Sequence, residues 1–509
     1  MNFSDEIRNI RQSCLLSQEA FAKELNVSFS TVNRWETGKT NPNYEIMGKL
    51  ALFCKKKNLD FKIAEKKWKE NRNRIDLQNK AFFADVMEKK LYVDFFSGCG
   101  GLSLGLGLAK WNGLFAVEKD PMAFATFKRN LVEKNAPYNH FRDWPQWLTK
   151  SPHSIEEVLD DPSVKKHLES LKGKVVLVAG GPPCQGFSVA GARNGNDPRN
   201  LLVFRQIDAI RLIKPLFCIV ENVGGFARKF VSQPIDGINI SIADAAKKEI
   251  ENLGYNVGVV KINAADYGVP QIRERVIIFG ILKDFAGTLN ASKLFENVLK
   301  YVGVEQRQEL NLPTDRYVNI EEALSDLSGE KTVADPEFPK YKTVKYLSPK
   351  TPYQVFMRRN MEKNIPNCHR FNNHNEKAVA LYKKALETQP AGRLSKQFLY
   401  DNNCHSNKRF VLDVKRPSST LTTAPEELIH YKHPRVVTLR EMARLQSFPD
   451  NFEFLGRYTL NGPSRGIDVP RNAQIGNAIP PLVGRALGRT IEKIATMVIE
   501  KDSELENYR

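Results

Sequence analysis

The chain has 509 residues, enough for two or three domains with well-buried cores. Lysine and arginine number 76 against 58 acidic residues, a formal net charge of +18, which suggests a polyanionic partner, most simply nucleic acid. The seven cysteines lack paired spacing, which argues against a disulfide framework, and no apolar run approaches the ~20 residues of a membrane span.

Met1 to Glu6 carry neither a basic nor an apolar signal-peptide region. A soluble, cytoplasmic chain with no membrane partner is the expectation.

In residues 1–60, Ser17 opens a helical pattern over Gln18–Leu25, Asn26-Val27 makes a short turn, and Ser28 can N-cap a second helix from Phe29 to Thr37, stopped by Gly38. Leu25, Val27 and Val32 can share a core. Ser28, Ser30, Thr31, Asn33 and Arg34 are short polar or forked groups suited to base edges and phosphates. The run SQEAFAKELNVSFSTVNRWETGKTNP resembles the helix-turn-helix domain of phage repressors, which implies DNA binding. A helical module for protein docking is the alternative. Residues 61–88 continue a basic run begun at Lys55-Lys56-Lys57 and read as a solvated linker.

From residue 89 the pattern becomes α/β. Leu91–Phe96 reads as a strand, Ser97-Gly98-Cys99-Gly100-Gly101 as a Gly-rich turn, and Leu102 onward as a helix, the first crossover of a dinucleotide-like fold. A second strand, Phe115–Val117, ends in Glu118, about 20 residues past the glycines, where a carboxylate would accept ribose hydroxyls. The turn is neither G-x-G-x-x-G nor a phosphate loop. Asp143 follows a third element and could meet an adenine amino group, or be an ordinary loop carboxylate. The apolar run Val175–Ala179 reads as a strand buried on both faces, and it delivers Gly180-Gly181-Pro182-Pro183-Cys184-Gln185-Gly186. A cysteine shaped by prolines and glycines beyond such a strand suits a nucleophilic thiolate. Another strand, Pro215–Val220, ends in Glu221, and Arg273 and Arg275 alternate before the strand Val276–Phe279.

Taken in order, DFFSGCGG (94–101), VEKD (117–120), GGPPCQGFS (180–188), ENV (221–223), QIRER (271–275), TLREMARLQSFPD (438–450) and QIGNAIPP (474–481) resemble the bacterial DNA (cytosine-5)-methyltransferases of restriction–modification systems. The resemblance implies a mixed, Rossmann-like α/β sheet with helices on both faces. This catalytic domain would occupy 89–285 and be completed by 436–509, with a smaller target-recognition domain at 286–435 between. It implies S-adenosyl-L-methionine as methyl donor, no metal, and double-stranded DNA as partner. Cys184 would add to cytosine carbon-6, and Glu221 would serve nitrogen-3, for which it must carry a proton near neutrality. Arg273 and Arg275 would hold the base carbonyl and a phosphate. Phe96, Cys99, Gly100, Glu118, Asp143, Pro182, Leu202 and Asn477 would meet the cofactor, and Thr420, in a Thr-Leu pair, would meet DNA. Cys99 stands where the family often has a smaller residue and would leave a second thiol near the cofactor.

Thr438–Glu441 reads as a capping box, and a last helix runs to about Glu500. Cys368, His369, His374, Cys404 and His405 do not have finger or ribbon spacing, so no metal is expected. The rival readings are a repressor with a vestigial catalytic domain and an RNA cytosine-5 methyltransferase. The N-terminal reader has no catalytic task in this scheme, which suggests binding to the operator of its own operon, with a homodimer on a palindrome.

Overall fold

The computed structural model describes residues 3–42, 44–57, 59, 81–183, 201–227, 241–404, 409–424, 427–458 and 469–508. The chain divides into two compact units, Met1–Asp85 and Val86–Arg509. No helix among the described residues is long and apolar enough to cross a membrane. Most of the basic connector, 60–80, and the Cys184 loop, 184–200, lie outside the described residues.

Among the described residues, the first unit contains the helices α1 (Phe3–Ser13), α2 (Gln18–Leu25), α3 (Phe29–Glu36) and α4 (Tyr44–Lys56). Local capping sets their ends. Ser17 Oγ accepts from the Ala20 amide at 3.1 Å and Ser28 Oγ from the Thr31 amide at 3.2 Å. Asn26 turns the chain between them in the left-handed region, at φ 54°. Ile7, Phe21, Leu25, Val32, Trp35 and Phe53 form the core, while Val27 is only half-buried. Glu36 is buried against α1 and α2: it accepts from Arg11 Nε at 2.6 Å and Gln18 Nε2 at 2.7 Å. Burial opposes its charge, but these donors outweigh it and hold the carboxyl below its ordinary range.

The second unit is built on six strands: β1 (Leu91–Phe95), β2 (Asn112–Val117), β3 (Leu177–Gly180), β4 (Phe217–Val223), β5 (Tyr255–Asn263) and β6 (Glu274–Leu282). Their order is β2-β1-β3-β4-β6-β5, and β6 is antiparallel to both neighbours. Helices cover both faces. On β6, Phe279 stacks on Phe295 of the helix Ala291–Glu309, at 4.3 Å between centroids, whereas a Cβ on Gly280 would approach Ile250 of the helix Ile242–Asn252. Adjacent strand residues point to opposite faces, so these helices lie on opposite sides. The register sets Phe95 beside Gly180 and Gly180 beside Val220, so β1 and β3 end together while β4 runs on through Glu221 to Val223.

The interval 286–435 holds two packing environments. Its first helix, Ala291–Glu309, packs on β5 and on the C-terminal helix Pro481–Glu500. Farther on, Tyr382, Leu394, Phe398, Val411, Ile429 and Val436 form a separate small core. The C-terminal segment packs on the helix Gly101–Leu108 along a seam where glycines meet backbone. A Cβ on Gly101 would stand 2.2 Å from the Ile479 carbonyl oxygen, and one on Gly105 would stand 2.3 Å from that of Pro481. Gly105→Ala should therefore force the two helices apart and cost roughly 1–3 kcal/mol. Gly224→Ala, where a Cβ meets nothing within 4 Å, should cost far less. Urea denaturation of the full-length variants reads the difference.

Candidate active site

The C-terminal ends of β1, β2, β3 and β4 carry the site. After β1 the chain turns through Phe96 at φ 58°, Gly98 at φ 56° and Gly100 at φ 95°. A Cβ on Gly100 would come within 2.5 Å of Leu131 Cδ1, so both its conformation and its surroundings require glycine. Glu118, just past β2, holds this turn. Its Oε2 accepts from the Gly98 amide at 2.9 Å and its Oε1 from the Asp120 amide at 2.8 Å. Burial pushes the Glu118 carboxyl up and the two amides pull it back. Beneath it, burial lifts Asp94 to about 7 although Ser103 Oγ donates to it at 2.6 Å. Ser97 is buried at the same turn, and its Oγ has no partner among the described residues. Beside it, a Cβ on Gly98 would meet nothing within 4 Å.

At the end of β3, Pro182 is buried and its carbonyl accepts from Asn222 Nδ2 at 3.2 Å. Asn222 thus ties the start of the Cys184 loop to β4, although Cys184 itself lies outside the described residues. Glu221 is 9% exposed, and Arg275 Nε donates to its Oε1 at 2.8 Å. Its Oε2 faces Gly181, where a Cβ would stand only 3.1 Å away. Leu202 is half-buried at the first position of the helix Leu202–Ile213.

The two arginines, expected to work together, differ. Arg275 is paired with Glu221, whereas Arg273 is 1% exposed and turned inward. Its Nη1 donates to the Leu421 carbonyl at 3.1 Å and its Nη2 to that of Gly476 at 2.8 Å. Burial and the nearby Arg275 charge draw the Arg273 guanidinium well below its ordinary value. Gln271, quoted in the motif but given no role, is fully buried. Its Oε1 accepts from the Leu421 amide at 2.8 Å and its Nε2 donates to the Leu445 carbonyl at 3.1 Å. Thr420 is exposed, with its hydroxyl donating to the Ile272 carbonyl at 2.7 Å. Asn477 is exposed at the end of the helix Arg471–Asn477, and Asp143 is exposed between the buried Phe141 and Trp144. Asn222, Gln271 and Ser97 were missed because an amide or hydroxyl has no sequence signature until its partner is known.

In the first unit, Ser30, Asn33 and Arg34 are exposed on α3 and Thr31 is half-buried. Ser28 Oγ is engaged as the cap and lies 2.7 Å from the Thr31 hydroxyl. His369 has both ring nitrogens in use, toward Thr438 Oγ1 at 2.7 Å and the Leu327 carbonyl at 3.1 Å, which leaves none for a metal. Among the described residues no group of three metal-ligating side chains forms.

Cys99, expected as a second thiol near the cofactor, is covered. It is 2% exposed, its Sγ faces the Gln474 carbonyl, and burial pushes the thiol up to about 12. Almost none is thiolate near pH 8. Brief alkylation of the folded chain at that pH, followed by peptide mapping, should recover Cys99 unmodified until denaturant is added.

The profile of the family described as C-5 cytosine-specific DNA methylase matches residues 91–493, and that of helix-turn-helix domains matches residues 7–61. The type II methyltransferase M.DdeI of Desulfomicrobium norvegicum is 30% identical over 413 residues, 78% of this chain and 88% of its own length. The type II methyltransferase M1.HphI of Haemophilus parahaemolyticus is 27% identical, over 80% of this chain and 87% of its own length. A solved structure of a prophage-encoded Escherichia coli protein, described as a DNA modification methyltransferase, aligns over 80% of this chain and 99% of its own length. Its TM-score of 0.54 at 24% identity supports the fold. The chain belongs to the C-5 cytosine-specific DNA methylases of restriction–modification type and carries an N-terminal helix-turn-helix domain.

Proposed function

We propose that this chain transfers a methyl group from S-adenosyl-L-methionine to carbon-5 of a cytosine flipped out of a specific duplex sequence. The observation that carries the reading is the Glu221–Arg275 pair at the end of β4, beside the strand end that delivers Cys184. Flipping costs a few kcal/mol, which the basic chain can offset through phosphate contacts.

The residues at the Gly-rich turn suit the donor. Glu118 would accept from the ribose hydroxyls, the unpartnered Ser97 hydroxyl offers a hydrogen bond, and the open side of Gly98 leaves room. Phe96, Cys99, Gly100, Asp143, Pro182, Leu202 and Asn477 complete the proposed set. When bound, S-adenosyl-L-methionine supplies an electrophilic methyl group. Cys184 would add as thiolate to carbon-6, which makes carbon-5 enamine-like. Glu221 would offset the charge that develops at nitrogen-3 by a proton or strong hydrogen bond. Arg275 orients Glu221 and would hold the base carbonyl. Arg273 supports this arrangement from behind through the Leu421 and Gly476 carbonyls. After transfer the carbon-5 proton is lost and Cys184 is eliminated.

Base-resolution sequencing of 5-methylcytosine in a methylation-free host tests the reading. The wild type should methylate one short motif, Cys184→Ala none, and Glu221→Gln should be slower by about 10²–10⁴-fold. Methylation that survives Cys184→Ala, or none from a soluble wild type, would refute it.

A second reading concerns the N-terminal unit, whose α3 exposes Ser30, Asn33 and Arg34. It would bind the operator of its own operon, as a dimer on a palindrome with half-sites about 10 bp apart. The full-length chain should footprint the upstream region, and deletion of residues 1–60 should abolish the footprint.

A further inference from the structure

We infer that Phe29 makes the N-terminal unit a reader of the C5-methyl group of pyrimidines in the major groove. The inference rests on DNA binding by α3 and adds the chemical feature that α3 reads.

The face of α3 divides cleanly. Val32 and Trp35 point into the core. Phe29 opens the helix with 47% of its surface exposed and takes no part in that core. Asn33 lies one turn after Phe29, and Ser30 and Arg34 form the adjacent column of the same exposed face. Several hydroxyls there are engaged locally. Ser28 Oγ caps the helix and lies 2.8 Å from Ser30 Oγ, and Thr37 Oγ1 donates to the Asn33 carbonyl at 2.7 Å. Besides the Ser30 hydroxyl, α3 thus presents outward the Phe29 ring, the Asn33 amide and the Arg34 guanidinium.

The last two match base edges and phosphates by hydrogen bonding. A phenyl ring has neither donor nor acceptor to offer. In a major groove lined by polar edges, the apolar feature is the methyl on carbon-5 of thymine. Cytosine acquires the same group when carbon-5 is methylated. The N-terminal residues of the second helix of this motif are those that reach base edges, and Phe29 is the first residue of α3. Two sources can supply the methyl: thymine in the operator, or a 5-methylcytosine made by the chain itself. In the second case the reader senses the product of the catalytic unit.

The test uses the full-length chain without S-adenosyl-L-methionine. Duplexes are selected from a random pool, and those whose binding depends on Asn33 and Arg34 are kept, judged by the Asn33→Ala, Arg34→Ala double variant. In one such duplex each thymine is replaced in turn by deoxyuridine, and each cytosine by 5-methyldeoxycytidine. Loss of one methyl contact should weaken the wild type about three- to five-fold at one thymine position, and Phe29→Ala should not feel that replacement. Tightening by one 5-methylcytosine, again absent in Phe29→Ala, would assign the source to the methylated base. Phe29→Leu, which keeps an apolar side chain, should retain the sensitivity. Equal responses of wild type and Phe29→Ala to every replacement would overturn the inference while leaving DNA reading by α3 intact. If no selected duplex depends on Asn33 and Arg34, DNA reading by α3 fails, and this inference fails with it.

Discussion

The buried side chains of Gln271 and Arg273 are the constraint on which the second unit depends. A guanidinium taken wholly out of water is costly unless its donors are used. Arg273 uses its Nη1 and Nη2 on the Leu421 and Gly476 carbonyls, two points far apart in sequence, while its Nε has no partner among the described residues. Gln271 adds the Leu421 amide and the Leu445 carbonyl. Three stretches are thereby gathered at the start of β6: the Thr420-Leu421 loop, the helix Leu439–Leu445 and the turn after Arg471–Asn477. Two residues farther along, Arg275 meets Glu221 on β4. The same short segment thus positions the Glu221 carboxylate and the loops that would lie beside the duplex.

A discontinuous domain must also be closed, and this one is closed by bare backbone. Gly101 and Gly105 let their helix lie directly on the segment around Ile479–Arg485. Ion pairs within the core reinforce the closure. Arg444 is fully buried between Asp326 and Asp450, at 2.9 and 2.6 Å, and so links the helix Leu439–Leu445 to the turn Ser325–Leu327. Removing one partner of such a triad leaves a charge stranded, which makes these residues sensitive although they lie away from the reacting groups.

The first unit solves a smaller problem with local chemistry. Its helices are too short to persist alone, so caps and one buried carboxylate hold them while Phe21, Val32 and Trp35 are buried. The hydroxyls spent on caps are withdrawn from the outer face. The exposed face of α3 keeps the Phe29 ring, the Ser30 hydroxyl, the Asn33 amide and the Arg34 guanidinium.

Much of the site was legible in the sequence because its signals are local. Ser17 and Ser28 cap the helices they precede, and Thr438 forms a capping box with Glu441, since a side chain reaching two or three residues ahead depends on little else. The apolar runs before Gly180 and Glu221 are buried strands, and Glu118 does close on the glycine turn. Other features were decided only by the tertiary structure. The helix α1, the strand β5 and the reversal of β6 carried no motif. Arg273 looked like Arg275 until its carbonyl partners, some 148 and 203 residues away, were in place. Cys99 resembled an accessible thiol until the Gln474 carbonyl, 375 residues on, covered it. Residue identity and spacing determined the turns, caps and strand ends, whose energies come from neighbours within a few residues. Burial, protonation and hydrogen-bond partner depend on what folds over a group, and that was decided only when the distant segments came together.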